Sequence, residues 1–189
     1  MGIRLKRLST GQTHQSLEVC RVDSLKWRSQ MSPELEHELV SKYPDIFKDY
    51  KGDPKDTCLT FGIECGDGWF DIIERLCHLI QSEVDYINRM HKDKMKYRCW
   101  AVQVKQKYGT LRFYYDFSYA EGLSKQEQEI IHRSTDHIGG MSAMAAKMSA
   151  RVCEHCGDRG KVTHGSFPRT LCNACDTLTH DALSSADPT

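Results

Sequence analysis

The hydrophobic positions of this chain change period several times, and each change predicts an element. Leu35, Leu39 and Tyr43 recur every fourth residue, the spacing of one helical face. Ser32 suits the N-cap, Pro33 the first helical position, and Pro44 the stop. Residues 57–63 read as a short strand. Phe70, Ile73, Leu76, Cys77, Ile80, Val84 and Ile87 then form the clearest amphipathic stripe. It predicts a helix ending near His91, with Asp67 of the turn Gly66-Asp67-Gly68 as its N-cap. A capping box, Ser124 to Glu127, opens another helix. Its stripe runs through Ile130, Ile131, Ser134, Ile138, Met141, Ala145 and Met148 and reads as core. Gly139-Gly140 lies inside that stripe, at roughly 1–2 kcal/mol relative to alanines, and marks a kink, a break or a close crossing.

Between these helices the period falls to two, which predicts a hairpin. Trp100, Val102 and Val104 alternate with polar neighbours, as do Leu111, Phe113, Tyr115 and Phe117. Gly109-Thr110 fits a type II′ turn, which takes glycine first. That turn would pair Tyr108 with Leu111, Gln106 with Phe113, Val104 with Tyr115 and Val102 with Phe117. On the opposite face Lys105 would meet Tyr114, and Lys107 would meet Arg112. Like charges directly opposite are mildly unfavourable. This face is either solvated or poised for an anion.

Composition alters the picture in two ways. Lys and Arg total 26, as do Asp and Glu, so bulk charge does not mark a polycation. The balance conceals segregation: residues 1–30 carry net +4, 31–90 net −7, 91–120 net +5 and 121–189 net −2. No run of about 18 apolar residues is present, and the basic N-terminus lacks a signal-peptide core. A cytoplasmic protein with no membrane partner is expected.

The nine cysteines supply the strongest chemical signal. Cys153, Cys156, Cys172 and Cys175 form C-x2-C-x15-C-x2-C, a zinc spacing. Each pair turns two thiolates toward one point, and four thiolates close a tetrahedral site. Closed sites are structural, so one structural Zn2+ is expected. The intervening stretch reads as a β-hairpin and the second pair as the start of a helix from Asn173 to Leu183. This order resembles treble-clef modules, and Leu171 to Cys175 is locally similar to a GATA-type finger; a zinc ribbon is the related alternative. Arg159, Lys161 and Arg169 are candidate nucleic-acid contacts there. No catalytic constellation emerges, and no small-molecule substrate is indicated. Cys77 and His78 are helix neighbours about 100° apart, which does not make a nucleophile–base pair.

The predicted architecture is α+β: a basic arm at 1–30, a small antiparallel hairpin packed by helices at 31–150, and a four-cysteine zinc-binding module with a short tail at 151–189. Three stretches carry a resemblance: Cys65-Gly66-Asp67-Gly68-Trp69-Phe70-Asp71-Ile72-Ile73, Val104 to Tyr114, and Cys153 to Cys175. Through them, residues 31–175 resemble a family of small phage and prophage proteins without an established activity. The resemblance implies an accessory protein working in a bacterial cytoplasm. The leading expectation is a non-enzymatic protein that binds and modulates a host macromolecule, in host takeover or counter-defence. Its partner face would be Lys105, Lys107, Arg112 and Tyr114, extended by Lys94 and Lys96. The alternative is a nucleic-acid-binding protein using the same face and the zinc module.

Overall fold

The computed structural model describes residues 30–55, 57–165 and 167–184; the predicted arm lies outside them except for Gln30. The fold is α+β. Helix α1 (Pro33–Lys42) leads to a 3-10 turn (Cys58–Phe61) and helix α2 (Phe70–Met90). Strands β1 (Arg98–Lys107) and β2 (Thr110–Ser118) form an antiparallel pair, and helix α3 (Lys125–Ser149) follows. The C-terminal module holds a second small pair, β3 (Lys161–Val162) with β4 (Thr170–Leu171), and helix α4 (Asn173–Ser184).

The buried stripe of α2 is the predicted one, with Ile73, Leu76, Cys77, Ile80, Val84 and Ile87 inside. Burial pushes the Cys77 thiol well above its ordinary range, so it is sealed as a small apolar group. Asp67 is not the cap of α2. A 3-10 turn, Asp67–Trp69, leads into the helix, and the Asp67 carboxylate accepts from the Ser32 amide at the start of α1 at 2.6 Å. Two other carboxylates anchor α1. Buried Glu36 accepts from the Ile63 amide and the Tyr50 hydroxyl, and Glu74 accepts from Tyr43 and Lys42.

Residues 57–63 form the 3-10 turn rather than a strand, because the Thr57 side chain caps it by accepting from the Leu59 amide. Strand-like pairing begins only at Glu64. Its backbone donates to Val104 O and accepts from Gln106 N, while Ile46 O accepts from Ala101 N. These contacts cover the free edge of β1, which an unpaired strand would expose.

The hairpin turn and register also differ from expectation. Tyr108 and Gly109 are the central turn residues, with φ of 55° and 74°, and Lys107 pairs with Thr110. Both central residues are left-handed, as in a type I′ turn. Val104 therefore faces Phe113, and Gln106 faces Leu111. A bulge between Ala101 and Gln103 then switches β1 from one face to the other, as an extra residue must. Cys99 and Ala101 point inward in place of Trp100 and Val102. Trp100 instead lies under Lys48, whose Nζ is 4.2 Å from its ring centroid.

Helix α3 begins with the predicted capping box. Lys94, then the Ser124 amide and hydroxyl, bond the Glu127 carboxylate and lower its pKa to about 2 from 4.5. A depressed folded-state pKa stabilises fully above the ordinary value and is lost as pH falls through the depressed one. The cap should thus weaken between pH 4.5 and about 2. Carboxyl NMR titration of Glu127 should give a midpoint near the lower value; a midpoint at the upper one would show the cap open in solution.

The helix runs unbroken through Gly139-Gly140. A Cβ at Gly139 would lie 3.2 Å from the Tyr115 hydroxyl, so this glycine permits a close helix–strand approach, whereas Gly140 faces open space. Gly140→Ala should accordingly stabilise the protein by about 1 kcal/mol in chemical denaturation; a loss would place a bend there. The methionine stripe is only partly core: Met141 is half-buried, but Met144 and Met148 are exposed. Among the described residues no helix is long and apolar enough to cross a membrane.

Candidate functional site

The four cysteines converge from two local structures. Cys153 and Cys156 lie on a tight knuckle, where Gly157 N donates to Cys153 O at 3.0 Å. Gly157 has φ 80°, a conformation glycine adopts without a Cβ penalty. Cys172 immediately precedes α4, and Cys175 lies in its first turn, donating its amide to Cys172 Sγ at 3.4 Å. All four sulfurs lie within 4.8 Å of one another. Cys156 Sγ is 3.7 Å from the sulfurs of both Cys172 and Cys175, far beyond a disulfide bond of about 2.05 Å. Cys153 and Cys175 are buried, the others half-buried. Bonds from Cys156 and Cys175 hold the Cys153 thiol well below its ordinary range, and donating to Cys153 pushes Cys156 up. Four sulfurs this close can bind a metal ion, whose charge would relieve their repulsion as thiolates.

The knuckle is docked onto the body, by residues that the sequence pattern did not single out. Glu154, between the first two cysteines, has 0% exposure. Its carboxylate takes two bonds from the Arg169 guanidinium at 3.1 Å and one from the Gly66 amide at 3.2 Å. Its backbone carbonyl accepts from the Gly68 amide at 2.9 Å. The Trp69 indole donates to Val152 O at 2.8 Å. A Cβ on Gly68 would overlap the backbone of Cys153, Cys156 and Gly157, and one on Gly66 would overlap Glu154. The two glycines thus let α2 approach the knuckle. The available signal was the pattern Gly-x-Gly-Trp itself, which marks a close backbone approach as readily as a turn. At the other end, the hairpin tip meets the module: Thr170 Oγ1 donates to Gly109 O, and Gln106 Nε2 to Pro168 O.

The predicted basic face divides. Lys105 and Arg112 are directly opposed, Lys107 faces Thr110, and Tyr114 faces Gln103, so the like-charge pair is Lys105–Arg112 rather than Lys107–Arg112. Among the described residues none of these three cations has a carboxylate within ion-pair distance. Lys94 and Lys96 belong to the loop before β1, roughly 30 Å of strand from the turn. Lys94 is bonded to Glu127 at 2.7 Å, and Lys96 borders a cleft with Asp45, Asp85 and Asp93. In the C-terminal module Arg159 and Lys161 are exposed, whereas the guanidinium of Arg169 is engaged by Glu154.

No protein-family model, curated protein or solved structure matches the chain.

Proposed function

We propose that the chain is a zinc-stabilised, non-enzymatic binding protein that acts by contact with a macromolecule through the outer face of the β1–β2 hairpin. The sulfur spacing carries the metal part. Zinc–sulfur bonds of about 2.3 Å imply tetrahedron edges of about 3.8 Å, which the 3.7 Å separations around Cys156 match. Knuckle, hairpin and ligand-bearing helix follow one another in the order of a treble clef. Four thiolates leave no open coordination position, which favours a structural ion over a catalytic one. Thiolate ligands also suit a reducing compartment such as the cytoplasm. Lys105, Lys107 and Arg112, without acidic partners, favour an anionic contact. The resemblance to phage and prophage proteins supplies the setting: a host macromolecule as the partner and its modulation as the outcome.

Metal analysis of purified protein should find about one zinc per chain. Reversing Lys105, Lys107 and Arg112 together to Glu should weaken binding to the polyanion heparin by about ten-fold or more with an unchanged melting curve. Retained binding after the reversal would move the contact elsewhere.

A further inference from the structure

Resting on the hairpin face as the contact surface, we infer that its partner is a single-stranded nucleic acid, whose bases stack on Tyr108, Tyr114 and Phe167 while Lys105, Lys107 and Arg112 hold the phosphates.

Tyr108 carries the inference furthest. It takes the first central position of the hairpin turn at φ 55°, a left-handed backbone that bulky residues rarely adopt. Turns of this form select Asn-Gly. Folding gives no reason for a tyrosine here, since it is 67% exposed. A strained position presenting an exposed ring is an outlier of the kind that clusters at functional sites. Lys107 Nζ lies 5.4 Å from the Tyr108 centroid, and Lys105 Nζ 5.7 Å from that of Tyr114, itself 42% exposed. A cation and an aromatic face therefore stand together twice on one surface, as each nucleotide requires for its phosphate and its base.

Two grooves flank these pairs. One of about 620 Å3 lies between Lys107–Tyr108 and Phe167–Arg169, with Phe167 91% exposed. The other, of about 380 Å3, is lined by Lys105 and Tyr114 on the strands and by Pro54 and Lys55. Gln103, the partner of Tyr114, and Lys107 are separated by roughly 13 Å along β1, so a continuous strand can engage both. The nearby carboxylates are already occupied: Glu64 accepts from Gln103, and Glu154 pairs with Arg169.

A duplex keeps its bases stacked inside and offers these rings little to hold. Helix α4, the element that a groove-reading finger would insert, carries Asp176 in its first turn. An acidic protein surface would satisfy the cations but gives no role to three exposed rings.

The test titrates full-length, metal-loaded protein into labelled dT and rU homopolymers of about 20 nucleotides, longer than the ~4–16 that one module covers. An abasic strand of equal length and heparin serve as comparisons, all across a salt series. Both homopolymers should bind about ten-fold more tightly than the abasic strand, and their ratio tells RNA from DNA. Three phosphate contacts predict a slope of about −2 in log affinity against log salt. Tyr108→Asn, which suits the turn, and Phe167→Ala, at an exposed site, remove rings while sparing the fold and should close most of the gap. Base-bearing strands that bind no better than the abasic one, or that ignore both variants, overturn the stacking inference. If charge reversal of Lys105, Lys107 and Arg112 still abolishes all binding, the hairpin face stands and its partner is an acidic protein surface. Failure to bind even heparin overturns the face as well.

Discussion

Removing the proposed zinc should destabilise the whole protein rather than release the C-terminal module alone. Structural zinc in small modules contributes about 10–16 kcal/mol of apparent binding energy, comparable with the ~5–15 kcal/mol net stability of an entire domain. Without the ion, four clustered thiols must either protonate or repel, and the knuckle loses the geometry that presents Val152 O and Glu154 to the body. The bonds at stake reach Gly66, Gly68 and Trp69, at the start of the buried stripe of α2. A melt with chelator should show Tm lower by about 10 °C or more. The Trp69 indole N–H should also exchange freely with solvent, having been protected by Val152 O. If Tm is unchanged and the indole stays protected, the sulfurs are held by packing alone and the metal is dispensable.

Arg169→Met should cost about 3–5 kcal/mol, because it strands a fully buried carboxylate. Glu154 is buried at 0% exposure, and the Gly66 amide is its remaining donor to the carboxylate. The double variant Glu154→Gln with Arg169→Met should recover most of that loss, since a neutral amide needs no counter-ion. The double-mutant cycle isolates the pair from the packing of either side chain. A single Arg169→Met variant as stable as the parent would mean that water reaches Glu154. The same experiment separates two roles for Arg169. A contact to nucleic acid would appear as a reduced salt slope with unchanged stability, whereas a docking role reverses that pattern.

What could be read from the sequence follows the range of each interaction. The four-cysteine cluster was legible because each pair is a local turn with its own spacing. The capping box at Ser124–Glu127 and the α2 stripe were legible because helical signals act over three or four residues. The β1 register was not. Its bulge between Ala101 and Gln103 is flanked by bonds from Ile46 and Glu64, which reach the strand edge from distant segments, and beyond it Trp100 lies on the outer face. Nearer the tip the pairing is shifted by the turn itself, which uses Tyr108-Gly109 in place of Gly109-Thr110, a left-handed tyrosine that no turn rule favours. The local pattern presents Gly66 and Gly68 as a turn and Asp67 as a cap, whereas the atoms that exclude a Cβ there belong to residues 153–157. Nor does charge counting reveal that Arg169 is consumed by Glu154 while Lys105 and Arg112 are not.

The docking of the knuckle has a consequence for how the chain reaches its fold. The bonds from Gly66 to Glu154 and from Trp69 to Val152 join residues 88 and 83 positions apart. Closing so large a loop costs entropy before it returns any contact, and long-range pairings slow folding. During synthesis the N-terminal turn of α2 must wait unpartnered until residues 152–154 have emerged, and on the proposed reading until Cys175 has completed the zinc site. Were the proposed zinc the ion held there, its supply would enter the rate of maturation as well as the stability of the product. Refolding started without zinc should stall in a partly packed state and finish in a phase whose speed follows the zinc concentration.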